Sequence, residues 1–401
     1  YQELQRVYAL LGAKEKVGIF ASHLPHDLDF FHRRETYGWF NQWLGKPEAG
    51  IEEAEFDASP QGSLNCTSTG QVLTSLGGRS VVQVNIDRAR QMMPGSPFRD
   101  GSPDATGVRQ KIRAELIQLL ALPKQRSPLR PKVLSSNQRS SVMIEEFQFE
   151  SEPGVRLTGW FVTPSPAGTP RPTVLYLSDD GGDDIVAEPG SMERLLASGH
   201  AVCAITLRGL GIATPRFPKA GPRFYDSGRD MTERFAWASL ALGLPVIGQR
   251  VWDTLRAFDY LASRPDVVSS QIRVLGRESA GLAAVMAAGL DGRPRSVLLD
   301  QTVVSYASIL ESEEYSLELG WFVPGILRKF DLPDLVVALS PRPCWVLNGV
   351  DPNGGILPET SVREQYARKM STEAFMSKSV RFLVKTERDA QDSYLQWLAN
   401  T

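Results

Sequence analysis

Arg273-Val274-Leu275-Gly276-Arg277-Glu278-Ser279-Ala280-Gly281-Leu282-Ala283-Ala284-Val285 reads as a short buried strand passing through a sharp turn into a helix of small residues. That layout is how a G-x-S-x-G elbow lifts a nucleophile above the carboxyl end of a sheet. The residues inside it allow two registers. With Gly276 as the first elbow glycine, Glu278 stands at the nucleophile position, Ser279 follows, Ala280 replaces the second glycine and Gly281 faces the sheet. With Gly281 as the second glycine, Ser279 is the nucleophile, and Arg277 takes a crowded position where a Cβ and a long stem are hard to place. Packing fixes strand-to-helix spacing, so the first register is favoured. The second stays open, and Ser279 is either a nucleophile or an early helix residue.

The rest of the composition sets bounds. A chain of 401 residues, 42% hydrophobic, has material for one large domain with appendages or for two domains. A formal net charge of −2, with Lys and Arg dispersed, leaves no electrostatic footprint for nucleic acid or an anionic membrane. No apolar run approaches the ~18 residues of a membrane span. Cys66, Cys203 and Cys344 lie far apart without metal spacing, and the last two sit in apolar runs as expected buried thiols. No residue pattern calls for a cofactor or a metal ion. The chain begins at Tyr1 without a visible signal peptide, and an upstream segment is expected to have been removed.

Periodicity predicts a helix over 1–12, a strand over 17–21, a loop with His23 and His26, and a helix over 30–44 carrying Tyr37, Phe40 and Trp43 on one side. A Gly-, Ser- and Pro-rich connector follows, with a strand or helix near 81–92. Its Gly77-Gly78 reads as a turn, because no Lys-Ser/Thr follows to make a phosphate loop. A helix over 108–122 stops at Pro123, and alternating strands over 142–149 and 155–162 join at Pro153-Gly154. Strands over 173–177, 201–207, 272–275, 296–299, 344–347 and 380–384 then alternate with helices over 192–197, 247–262, 361–375 and 391–398. The alternation predicts a mostly parallel sheet with helices on both faces.

The hairpin, the elbow, the Arg208-Gly209-Leu210-Gly211 turn and the 249–261 helix, taken in order, resemble the acetyl-xylan-esterase-like α/β-hydrolases over 140–398. The resemblance implies an α/β-hydrolase fold and metal-free serine hydrolysis of acetylated carbohydrates or other small esters. It places Gly181 and Gly182 in the oxyanion loop after the third strand and Asp351 at the triad acid, although each also reads as an ordinary turn residue. The base is missing: Lys385-Thr386-Glu387-Arg388-Asp389 follows the last strand, and His200 precedes a strand, where a structural role is expected. Glu278 without a histidine is an unusual base or the mark of a site no longer selected for acyl transfer.

Pro25-His26-Asp27 before an aromatic helix resembles the end of the same family, where that histidine is the triad base. His26 is otherwise a solvated loop histidine, as His23 and His32 are. The segment 66–78 looks like the connector of tandem members. The expected organisation is the tail of a preceding hydrolase domain over 1–45, a connector over 46–107 and a hydrolase-like domain with a degenerate triad over 108–401. Residues 1–45 are expected to bury their aromatic face on the missing upstream domain or another chain, and the resemblance implies a secreted or periplasmic protein. Two rivals remain: a noncatalytic support or carbohydrate-binding domain, and an enzyme using Ser279 with a base such as His26 from elsewhere. Tyr306, Tyr315, Trp321, Phe322 and Phe330, within 303–335, could form a lid or a stacking surface, with helix packing the simpler reading.

Overall fold

Strands of alternating character open the sheet and continuous apolar strands build its centre. β1 (Lys132–Arg139), β2 (Val142–Glu152) and β3 (Val155–Pro164) form an antiparallel meander. Phe147, Phe149, Leu157 and Phe161 are among its buried side chains, and Gly154 takes φ +81° in the β2–β3 turn. β4 (Arg171–Leu177), β5 (Ala201–Ile205), β6 (Val267–Arg277), β7 (Val297–Asp300), β8 (Cys344–Leu347) and β9 (Val380–Leu383) are mutually parallel. The order across the sheet is β1-β2-β3-β5-β4-β6-β7-β8-β9. The structure, a computed structural model, describes residues 1–24, 27–46, 53, 59–95, 97–98, 105–182, 185, 190–215, 231–367 and 379–401.

The helices are α1 (Gln2–Leu10), α2 (Phe30–Trp43), α3 (Val72–Leu76), α4 (Val81–Met92), α5 (Ala105–Leu119), α6 (Gly190–Ala197), α7 (Met231–Ala241) and α8 (Val246–Ser263). After the elbow come α9 (Ala280–Leu290), α10 (Tyr306–Leu310), α11 (Leu332–Ala338), α12 (Glu359–Ala367) and α13 (Glu387–Asn400). Neighbouring residues along one strand belong to different cores, as a pleated strand requires. Leu175, Val274, Leu299 and Val346 join the core under α5, α8, α9 and α11. Val174, Leu275, Leu298 and Trp345 join the other, with α6 and α13. At ~1.5–3 kcal/mol for each large side chain removed from water, these two layers are the principal stabilising term.

The chain divides into two units, one over residues 1–78 and one from Arg79 onward. α1, α2 and α3 contain no buried residue, so the first unit has little core of its own. Residues 17–21, expected as a strand, are not one: Lys14–Lys16 form a 3-10 turn and no strand partner follows among the described residues. Residues 81–92 are a helix, begun by a Ser80–Gln83 capping box. The expected 361–375 helix is described to Ala367; its remainder, like His26, lies outside the described residues.

Candidate functional site

The elbow is the junction of β6 and α9. Glu278 stands there at φ +56°, its N–H donating to the Asp300 carbonyl at 2.8 Å and its carbonyl accepting from Gly281 N at 3.2 Å. A left-handed non-glycine residue costs on the order of 1–3 kcal/mol and persists where its surroundings over-determine it. Here the strand fixes one side and the helix the other. Ser279 already has helical dihedrals, φ −69° and ψ −27°, at the helix cap. A Cβ on Gly276 would lie 2.7 Å from both Ala284 Cβ and Gly281 Cα, and one on Gly281 would strike Thr302. These two glycines let strand and helix backbones touch.

Arg277 reaches a buried network. Its Nη1 donates to Tyr176 Oη at 3.3 Å, and its Nε lies 3.7 Å from Asp300 Oδ2. Tyr394 Oη donates to that same Oδ2 at 2.5 Å, and Asn348 Nδ2 to Oδ1 at 3.4 Å. Burial raises the Asp300 pKa, opposed by Tyr394 and by the Arg277 charge. The network joins the carboxyl ends of β4, β6, β7 and β8 to α13.

Asp179, in the loop after β4, closes the elbow from above. Its Oδ2 accepts from Ser279 N at 3.2 Å and its Oδ1 from Ala280 N at 2.8 Å. Burial and, less strongly, the Glu278 charge push its pKa up to about 6, with hydrogen bonds from Ser279 and Ala280 opposing. Gly181 takes φ +80°, and its N–H donates to the Ser178 carbonyl at 3.2 Å. The Gly182 N–H donates to Thr206 Oγ1 at 3.5 Å. Both N–H groups are spent within the fold.

The Arg208-Gly209-Leu210-Gly211 turn is structural in its contacts. Arg208 donates from Nε to Asp253 Oδ2 at 2.8 Å and from Nη2 to Glu152 Oε1 at 2.7 Å. Arg250 is 2% exposed, its guanidinium 4.1 Å from the Trp321 ring centroid. Its Nε donates to the Arg208 carbonyl at 3.1 Å, while Nη1 has no hydrogen-bond partner among the described residues. Burial lowers its pKa to about 10, with Asp179 the foremost charge opposing.

A cleft of about 170 Å³ brings together Glu278, Ser279, Gln301, Ser316 and Asp351. Asp351 Oδ1 accepts from Asn353 N at 2.8 Å and Gly355 N at 2.9 Å. It therefore caps its own turn. Gly181 and Gly182 do not line this cleft. His200 bonds the Ser198 hydroxyl at 3.0 Å, its pKa lowered to about 4 by burial and by Arg273. Of the other histidines, His23 and His32 lie in the first unit. The sequence pointed to Gly181 and Gly182 of the loop after β4 as donors and gave no sign of Asp179 as an acceptor or of Gln301, whose φ of +53° has no signature in its residue type.

In the aromatic segment, Trp321 and Phe330 are buried and Tyr306 donates to the Trp321 carbonyl at 2.6 Å. Tyr315 is 54% exposed, edge-on to Phe322 at 5.5 Å. A cavity of about 350 Å³ lies between these rings and α4. Among the described residues no group of three His, Cys, Asp or Glu side chains is placed to hold a metal ion, and no helix is long and apolar enough to cross a membrane.

No protein-family model matches the chain. A Bacillus subtilis (strain 168) protein named as a hydrolase, YtaP, is 25% identical over 256 residues, 61% of this chain and 81% of its own length. A protein described as an acetyl xylan esterase from Bacteroides fragilis NCTC 9343 superposes with a TM-score of 0.61 at 17% identity, covering 78% of this chain and 84% of its own. A glucuronoyl esterase from Teredinibacter turnerae T7901 superposes with a TM-score of 0.54 at 14% identity, over 78% of this chain and 89% of its own. At such identities the likeness establishes the fold.

Proposed function

We propose that this chain, an α/β-hydrolase of acetyl-xylan-esterase-like fold, is a carboxylester hydrolase relative whose elbow no longer performs serine acyl transfer. The observation that carries the reading is Glu278 at the left-handed residue between β6 and α9. Acyl transfer needs a nucleophile, a base to take its proton, an acid to orient the base and N–H donors for the oxyanion. A carboxylate stands where the nucleophile belongs, and Ser279 after it already has helical dihedrals. The segment after β9 contains no histidine. Loss of one triad member alone removes several orders of magnitude in rate.

On this reading, deacetylation of carbohydrates or related small esters belongs to the intact protein. Residues 1–45 are the tail of a preceding hydrolase domain with His26 as its base, 46–107 the connector and 108–401 the degenerate partner domain. Export to the periplasm or the medium belongs to the same reading. A second reading, a noncatalytic support or carbohydrate-binding domain, is favoured by the exposed Tyr315, which lines the cavity beside α4 with Tyr306 and Phe322.

The test is hydrolysis of 4-nitrophenyl acetate by the purified chain, by Ser279→Ala and by Glu278→Gln. No turnover above the buffer rate is expected in any of the three. Wild-type turnover abolished by Ser279→Ala, with folding intact, would overturn the reading and make His26 the first candidate base. Calorimetry with xylo-oligosaccharides that shows binding without turnover selects the second reading.

A further inference from the structure

We infer that Asp179 is a resident occupant of the oxyanion position, a carboxylate of the chain itself seated where the oxygen of an ester intermediate would be held. The inference rests on the elbow reading above for the identity of that position. In this fold one oxyanion donor is the N–H following the nucleophile position, and the other comes from the loop after the preceding central strand. The residue after Glu278 is Ser279, and its N–H is taken by Asp179, as is that of Ala280, at 3.2 and 2.8 Å. Asp179 comes from the loop after β4, the strand paired with β6. The loop that should supply the second donor supplies an acceptor instead.

One backbone contact and two features of the surroundings favour the occupant. Gly211 N donates to the Asp179 carbonyl at 3.2 Å. Gly181 N and Gly182 N donate to Ser178 and Thr206 and not towards the elbow. The buried Arg250 guanidinium, its Nη1 without a hydrogen-bond partner among the described residues, supplies positive potential to Asp179. An anion matched to two N–H groups of the first turn of the eleven-residue helix α9 also gains from the helix dipole. A neutral ester carbonyl, arriving from solution, has neither the charge nor the tether. The donor that the elbow itself contributes, the Ser279 N–H, is therefore present but filled.

The experiment reads the Ser279 and Ala280 amide resonances in protein labelled with ¹⁵N at serine and alanine, with sodium acetate as the probe. In the wild type at pH 7.5 both amides are expected downfield and indifferent to acetate. In Asp179→Ala both move upfield, and acetate restores them saturably with at least tenfold higher affinity than any wild-type response. Asp179→Asn, which keeps the side-chain shape, is expected to move the amides in the same direction and covers the case in which the alanine variant fails to fold. Equal acetate response in wild type and variant, or amides that stay downfield when the carboxylate is removed, overturns the inference. The readout contains no turnover, so its failure leaves the loss of acyl transfer standing, and esterase activity in the wild type would sink that reading separately.

Discussion

Asp179 brings a largely buried carboxyl against the elbow, and pH resolves the consequence. A carboxyl whose folded pKa, about 6, lies above its ordinary 3.8 binds its proton more tightly in the folded state. Its contribution favours the fold below about pH 4 and is withdrawn as pH rises from 4 to 6. The span from 3.8 to about 6 corresponds to roughly 3 kcal/mol. Asp179→Asn does not titrate and is expected to gain on the wild type across that window, by on the order of 1–3 kcal/mol at pH 8 once its weaker bonds to the helix are counted. Urea denaturation of both proteins at pH 4 and pH 8 measures this, and a pH-independent difference contradicts it. The sequence showed Glu278 and Ser279 at the elbow and Gly181 and Gly182 in a loop after the third strand. Who accepts from whom was not legible, because Asp179 and Ser279 meet only through the pairing of β4 with β6.

Among the elements, the β6–α9 crossing depends on two missing side chains. Gly276→Ala, placing a methyl group 2.7 Å from Ala284 Cβ, is expected to cost about 1–3 kcal/mol, read as a lowered thermal midpoint. The network on the other face separates charge from hydrogen bonding. Arg277→Ala leaves the 1%-exposed Asp300 without its cation and is expected to cost about 3–5 kcal/mol. Tyr394→Phe removes one bond to Asp300 and is expected to cost about 1–3 kcal/mol. Chemical denaturation of the pair checks the order, and equal losses would mean that Arg277 contributes only packing. The central strands were legible because strands buried on both faces leave unbroken apolar runs. The first half of β6 was not, since its polar Ser269 and Ser270 are exposed. Residues 17–21 have a strand's composition but no partner, and composition alone cannot provide one.

For the whole molecule, the uneven distribution of core sets the order of failure. Leu10 and Leu11 are exposed and α1, α2 and α3 bury nothing, whereas β4, β7 and β8 are almost wholly buried. Limited trypsin digestion is expected to release peptides from 1–78 before any from β4, β7 or β8, and the reverse order, read by mass spectrometry, contradicts this. The strand order carries a further consequence during synthesis. Thr173 of β4 must wait for Ile272 of β6, and at ~5–20 residues per second that delay is on the order of 5–20 s on the ribosome. Through that interval Val174, Leu175, Tyr176 and Leu177, all fully buried at the end, have one unclaimed edge, which makes the nascent chain a natural client for a holding chaperone.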